Sequence, residues 1–209
     1  MATQQSGADR RRRTRMSAAD RRESLLTVAV DVFAEFGYQQ AKTSMVAARL
    51  GVSEPVVFQN FGNKAALFAA VIHRATDQAC GIVAYAMEQR IPVRKLLALV
   101  LDPRYLEQAH AAGSIGAIFA NATAVTGEPV IAAAARKSTR RFAAALIELL
   151  EQGKAAGELR SDLDAEAAAW WLLSVLSSQP FRRATAADPS DIEARLSRLT
   201  FDLLTGGEN

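Results

Sequence analysis

Two stretches near the N-terminus carry the side chains with most chemistry to offer. Arg10, Arg11, Arg12, Arg13 and Arg15 crowd guanidinium groups into a short run without apolar periodicity. Such a run suits either phosphate oxygens or a solvated tail. Between Ser44 and Phe61, hydroxyl and amide side chains alternate with apolar ones on both sides of Gly51. Hydroxyls and amides on a short exposed helix can bond to phosphates and to base edges. Nothing comparable exists for catalysis. His73 and His110 fall on different predicted helices without a suitably spaced carboxylate, Ser114 lacks a nucleophile elbow, and no glycine-rich loop follows a strand. The single cysteine, Cys80, offers neither an intrachain disulfide nor a thiolate cluster for zinc. The expectation is a protein that is not an enzyme and has no metal or cofactor.

The elements that must position these residues read as helices throughout, because apolar residues recur at three- and four-residue steps and no hairpin signal appears. Ser17 with Asp20 opens a first helix that buries Leu25, Leu26, Ala29, Val32, Phe33 and Phe36, and Gly37 ends it. A short second helix is expected from about Ser44 to Leu50, capped by Thr43 and closed by Gly51. A third is capped by Ser53, carries Pro55 in its first turn and ends near Phe61-Gly62. Small Ala47, tight Gly51 and apolar Val46, Leu50, Val52 and Val57 allow the second and third helices to cross as a helix-turn-helix. Asn63 caps a long fourth helix reaching about Glu88. Six more helices follow, with starts at Pro92, Asp102-Pro103, near Gly113, Glu128-Pro129, Asp164 and Ser190, where Glu193 completes a capping box.

Composition agrees with an all-α chain in two functional parts. The 209 residues are half apolar, and the overall charge of +3 is unevenly spread. Residues 1–64 hold ten Lys or Arg against six Asp or Glu, a net of +4; residues 65–209 hold fifteen against sixteen, a net of −1. The basic character belongs to the N-terminal third. Ala167–Leu176 is too short to cross a bilayer, and no apolar segment follows the arginines as in a secretory signal, so a cytoplasmic protein without membrane contact is expected.

From Arg22 to Ile72 the sequence resembles the TetR family of repressors. The likeness is carried by Ala29, Phe33 and Gly37-Tyr38, then Val46-Ala47, Gly51-Val52-Ser53, Phe58, Phe61, Lys64 and Leu67, and again by Gly157-Glu-Leu-Arg-Ser-Asp-Leu-Asp164 before an alanine-rich helix. The resemblance implies a basic arm (1–16), a helix-turn-helix DNA-binding domain (17–64) and a helical effector-binding and dimerisation domain (65–209). It places Thr43, Ser53 and Lys64 at phosphate-contact or capping positions, and Ser44, Glu54, Pro55 and Val56 where base edges are met. Gln59 and Asn60 complete the exposed side. Phe58 stands where the family usually has tyrosine. It is expected to seat the recognition helix beside Phe61 without the hydroxyl that reaches a phosphate. Glu54 is unusual near DNA unless it accepts from a cytosine amino group. With this motif, Arg10, Arg11, Arg12 and Arg13 become candidate contacts to phosphates or the minor groove.

For the C-terminal part the resemblance implies a homodimer on palindromic double-stranded operator DNA and a small, largely apolar effector. Met87, Tyr105, His110, Phe119, Asn121, Trp170 and Trp171 are the candidate pocket residues. Two stripes are the candidate dimer faces: Val130, Ile131, Ala134, Phe142, Leu146, Leu149 and Leu150, and then Ala168, Leu172, Val175 and Leu176; packing within one subunit is their other reading. Alternatives are a regulator without effector, an activator, or an all-helical protein-binding scaffold.

Overall fold

The computed structural model describes residues 17–111 and 114–207, and all regular structure among them is helical. In chain order the helices are α1 (Ala18–Gln40), α2 (Thr43–Leu50), α3 (Glu54–Phe61), α4 (Lys64–Glu88), α5 (Val93–Val100), α6 (Pro103–His110), α7 (Ile115–Ala124), α8 (Pro129–Ala155), α9 (Ala165–Ser177), α10 (Gln179–Thr185) and α11 (Pro189–Thr205). The basic arm lies outside the described residues.

Most starts are made by the side chains that the sequence offers. Ser17 Oγ accepts from the Asp20 amide at 3.0 Å and donates to the Asp20 carboxylate at 2.7 Å. Asn63 Oδ1 accepts from Ala66 N at 2.8 Å to open α4, and Asp102, Ser114 and Asp164 cap α6, α7 and α9. Three local expectations fail. Thr43 is the first residue of α2, not its cap; Lys42 holds the cap position without a side-chain bond, and the Thr43 hydroxyl donates to Glu54 Oε1 at 2.5 Å. Ser53 occupies the cap position of α3, but its hydroxyl takes no backbone N–H. The Ser190–Glu193 box does not form, because Asp188 accepts from Asp191 N at 3.0 Å while Glu193 turns inward to pair with Arg182. Among the described residues seven helices, not six, follow α4. The additional one, α10, begins directly after α9 with only Ser178 between them.

Two apolar cores result, and α4 contributes to both. The first unites Leu25, Ala29, Val32 and Phe33 of α1 with Val46, Ala47, Val57, Phe61 and the Leu67–Ala75 stretch of α4, then continues through Ile118 and Ala122 of α7 into Ile131 and Ala134 of α8. The second gathers Val83, Leu97, Leu101, Leu146, Leu150, Leu163, Ala169, Leu172 and Leu204. Burying side chains as large as Phe33 and Phe68 contributes roughly 1.5–3 kcal/mol each. The two stripes expected on a dimer face are mostly consumed here: Ile131, Ala134, Leu146, Leu149, Leu150, Ala168, Leu172 and Val175 are all buried within the single chain. Hydrophobic periodicity identifies a buried face but not the surface that covers it.

Gly37 interrupts α1 with φ 66° and ψ 173°, a region essentially restricted to glycine. A short turn follows to Gln40, and Ala41 N closes onto Gly37 O at 3.1 Å. A methyl group at Gly37 would also lie 2.6 Å from Asn121 Oδ1 on α7. Gly37→Ala should therefore cost about 1–3 kcal/mol in backbone strain alone. A drop in Tm with retained helical circular dichroism is the expected result, and an unchanged Tm would show that this kink is not required.

Candidate nucleic-acid interface

The geometry of α2 and α3 follows from a few residues. Gly51 adopts the left-handed conformation (φ 71°, ψ 33°), and Val52 N returns to Ala47 O at 3.0 Å. Val46 and Ala47 seat α2; Val57 and Phe61, one helical turn apart, seat α3. Phe58 follows Val57 by about 100° of helical rotation and precedes Phe61 by three residues, which sets it at the edge of the buried face. It is 43% exposed, which corrects the expectation that it belongs to the hydrophobic seat. Ser44, Ser53, Pro55 and Gln59 are also exposed; Glu54, Val56 and Asn60 are half-buried. Thr43 is buried with its hydroxyl committed to Glu54. The Asn60 amide donates to Val56 O at 2.7 Å along its own helix.

Other side chains fix this pair against the rest of the protein. The Arg22 guanidinium lies 4.1 Å from the Phe61 ring centroid and donates to Asn60 O, tying the start of α1 to the end of α3. Sequence reasoning passed over Arg22; its proximity to the arginine run was a signal for charge, not for this contact. Arg49 on α2 pairs with Glu35 on α1 at 2.5 Å. Lys64 Nζ donates to Gln39 O at 3.3 Å and lies 4.6 Å from the Tyr38 ring centroid. Partial burial lowers its pKa, and the Glu128 carboxylate opposes that shift. Tyr38 was quoted only as part of a motif, yet its hydroxyl reaches Glu128 Oε1 at 3.2 Å.

The candidate pocket residues occupy different settings. Met87 is partly buried in the second core, and Phe119 stacks on Phe142 with centroids 6.4 Å apart. Asn121 faces Gly37 and bonds to Ala117 O. Tyr105, Trp170 and Trp171 are 40–43% exposed, with the Trp171 indole N–H bonded to Thr200 Oγ1 at 3.3 Å. His110 Nδ1 meets Leu106 O at 2.9 Å, and His110 alone of the seven lines an open hollow of about 450 Å³ between α6 and α10.

Two short helices joined by a tight turn, each with one face buried and the other exposed, mounted on a larger helical body, are the arrangement of a helix-turn-helix regulator. Residues 25–71 match the sequence model of the tetR family of bacterial regulatory proteins. The chain is 32% identical over 142 residues to the transcriptional activator FasR of Mycolicibacterium smegmatis, covering 68% of this chain and 64% of FasR, which is less than two thirds of that relative's length. It is 27% identical over 179 residues to the transcriptional repressor Rv1474c of Mycobacterium tuberculosis, covering 85% of this chain and 90% of that one. Its fold is similar to the crystal structure of the regulator FadR of Bacillus subtilis in complex with stearoyl-CoA, with a TM-score of 0.65, 17% identity, and coverage of 90% of this chain and 99% of that one. Residues 25–71 are thus a TetR-family N-terminal region, carried on a body with the fold of such regulators. These named relatives are transcriptional regulators, not enzymes.

The different placements of two phenylalanines give a direct test. Phe61→Ala should destabilise the fold by about 3–5 kcal/mol, whereas Phe58→Ala should cost about 1 kcal/mol or less. Urea unfolding of the two variants checks the order, and comparable losses would place Phe58 in the core after all.

Proposed function

We propose that this chain is a cytoplasmic transcriptional repressor that binds a palindromic operator as a homodimer and is released by a small, largely apolar effector. The observation that carries the reading is the outward face of α3, where Pro55, Phe58 and Gln59 are exposed beside Ser44 of α2 while Val57 and Phe61 anchor the helix. A helix held this way can enter the major groove, where Gln59 and Asn60 suit adenine or phosphate and Pro55 or Val56 suits a thymine methyl. Ser44 and Glu54 meet base edges, while Ser53 and Lys64 meet phosphates. Thr43, being bonded to Glu54, acts by orienting that carboxylate. Residues 17–64 form the DNA-binding domain, residues 65–209 the effector-binding and dimerisation domain, and residues 1–16 a phosphate-seeking arm.

Repression is favoured because occupying an operator requires only DNA binding. The 32% identity to FasR, named an activator, supports activation as a second reading. Among the described residues no helix is long and apolar enough to cross a membrane. One recognition helix reads few bases, so two copies are needed for specificity. Exposed apolar side chains occur elsewhere too, at Ile82, Tyr85, Leu99 and Val130, but Trp170 and Trp171 on α9, Phe181 on α10, and Leu199 and Leu203 on α11, from 41% to 69% exposed, fall on three consecutive helices. The proposed dimer face therefore lies on α9–α11. The stearoyl-CoA in the FadR structure supports a long apolar ligand as the effector class, and the Phe119–Phe142 stack marks the proposed wall of its site.

Selection of bound DNA from a random pool, by the full chain and by a chain lacking residues 1–15, tests the DNA reading. A palindrome with half-sites about one helical turn apart is expected, and the truncated chain should show a flatter salt dependence. Recovery of no preferred sequence would favour the protein-binding scaffold. Leu199→Glu should shift the species in analytical ultracentrifugation from dimer toward monomer; a monomeric wild-type chain on its selected site would overturn the homodimer.

The effector reading has its own test by linkage. If a stearoyl thioester weakens operator binding, operator must weaken thioester binding by the same factor. Equal thioester affinities with and without operator would remove that compound as an effector.

A further inference from the structure

The segment between α1 and α2 is held from three sides, one residue after another. Gly37 is closed upon by Asn121 of α7, so that no larger residue fits. Tyr38 is buried, with its ring 5.1 Å from Phe68, while its hydroxyl donates to Glu128, the residue that precedes α8. Gln39 offers its carbonyl to Lys64 at the start of α4, and the same ammonium lies over the Tyr38 ring. Four residues beyond Gln39, the chain is already in α2, at Thr43. Any movement of the α7–α8 junction relative to α1 is thus passed within one short connection to the helix that braces the recognition helix.

We propose that Tyr38 and Glu128 form a latch through which the α7–α8 junction of the C-terminal part positions the helix-turn-helix for specific DNA. The proposal rests on the DNA-binding reading given above. The phenol donates to the Glu128 side chain at 3.2 Å in a partly buried setting. That bond orients the ring on which Lys64 rests. An ammonium has three donors. Gln39 takes one and the Tyr38 ring faces the group, leaving donor capacity for a phosphate without releasing the arrangement. The latch supplies placement, and Lys64 supplies the contact. Neither Tyr38 nor Glu128 need touch DNA.

This role is distinguishable from simple charge. Glu128 is an acid near the proposed phosphate path, so neutralising it should by charge alone strengthen binding to any DNA. The latch demands the opposite for specific DNA. The full chain and its Tyr38→Phe, Glu128→Gln and doubly substituted variants would be titrated with the selected operator and with unrelated duplex, using Glu148→Gln on α8 as a remote charge control. Expected is a loss of about three- to tenfold in operator affinity for each single variant, a double variant no worse than the weaker single, and little loss on unrelated duplex. Tenfold corresponds to about 1.4 kcal/mol. Tyr38→Phe keeps the ring that packs on Phe68, so its Tm should stay close to wild type. If Glu128→Gln misfolds, the comparison of Tyr38→Phe on operator and unrelated duplex still decides. Unchanged operator affinity in Tyr38→Phe, additive losses in the double variant, or tighter operator binding in Glu128→Gln would overturn the latch. A wild-type chain that selects no sequence would instead overturn the DNA-binding reading, and the latch with it.

Discussion

Phe33, Tyr38 and Phe68 meet where α1 crosses α4, with ring centroids 4.8 to 6.3 Å apart. Much of the remaining architecture depends on this aromatic contact. It fixes the angle at which α1 leaves α4, and α1 in turn carries both ends of the helix-turn-helix: Arg22 at its start grips the end of α3, and Gly37–Gln40 at its finish leads into α2. Aromatic pairs contribute beyond the area they bury because their quadrupoles favour particular offsets. A three-ring contact therefore specifies geometry as well as cohesion. The first core then extends without interruption into α7 and α8. The putting together of head and body thus relies on packing, with few polar contacts, and α4 runs through both cores as a shared wall.

Much of this was legible in the sequence. Ser17, Asn63, Ser114 and Asp164 cap helices as their types suggest, because a short oxygen-bearing side chain before an apolar periodic run has few better uses than an orphan backbone N–H. Two of the failures have a common origin. Thr43, Ser53 and Glu193 belong to types that can cap, but Thr43 and Glu193 found tertiary partners, Glu54 and Arg182, that lie eleven residues away in each case. Local pattern cannot rank such competitors. The α10 helix was missed although Pro180 in its first turn marks a start, because only Ser178, itself in a helical conformation, separates it from α9.

The site was legible to a different degree. The assignment of α2 and α3 followed from small, tight and apolar residues at fixed offsets, which leave little freedom. The facing of individual side chains did not follow, as Phe58 illustrates: it adjoins Val57 and lies three residues from Phe61, both buried, so spacing reads it as core, and only the packing leaves it 43% exposed. Tyr38 and Glu128 are 90 residues apart, and no periodic signal joins them. The same holds for the stripes of α8 and α9. Their alanines and leucines are apolar whether they face a second chain or the same one, so only the three-dimensional arrangement separates Leu172, which is buried, from Leu199, which is not.

Arg182 and Glu193 form a bidentate pair with contacts of 2.7 and 2.9 Å, only 13% and 7% exposed, and the guanidinium also donates to Val175 O at 2.9 Å. One side chain thereby pins α10 to both α9 and α11. Replacing such a pair by apolar residues is often neutral, but separating its members strands a desolvated charge, so these three helices should open together or not at all. The exposed Phe181, Leu199 and Leu203 ride on that unit. Their backbone is ordered before any second copy arrives. The conformational entropy that a loose helical layer would surrender on association has already been given up during folding, so pairing across the proposed face would be the docking of two rigid bodies.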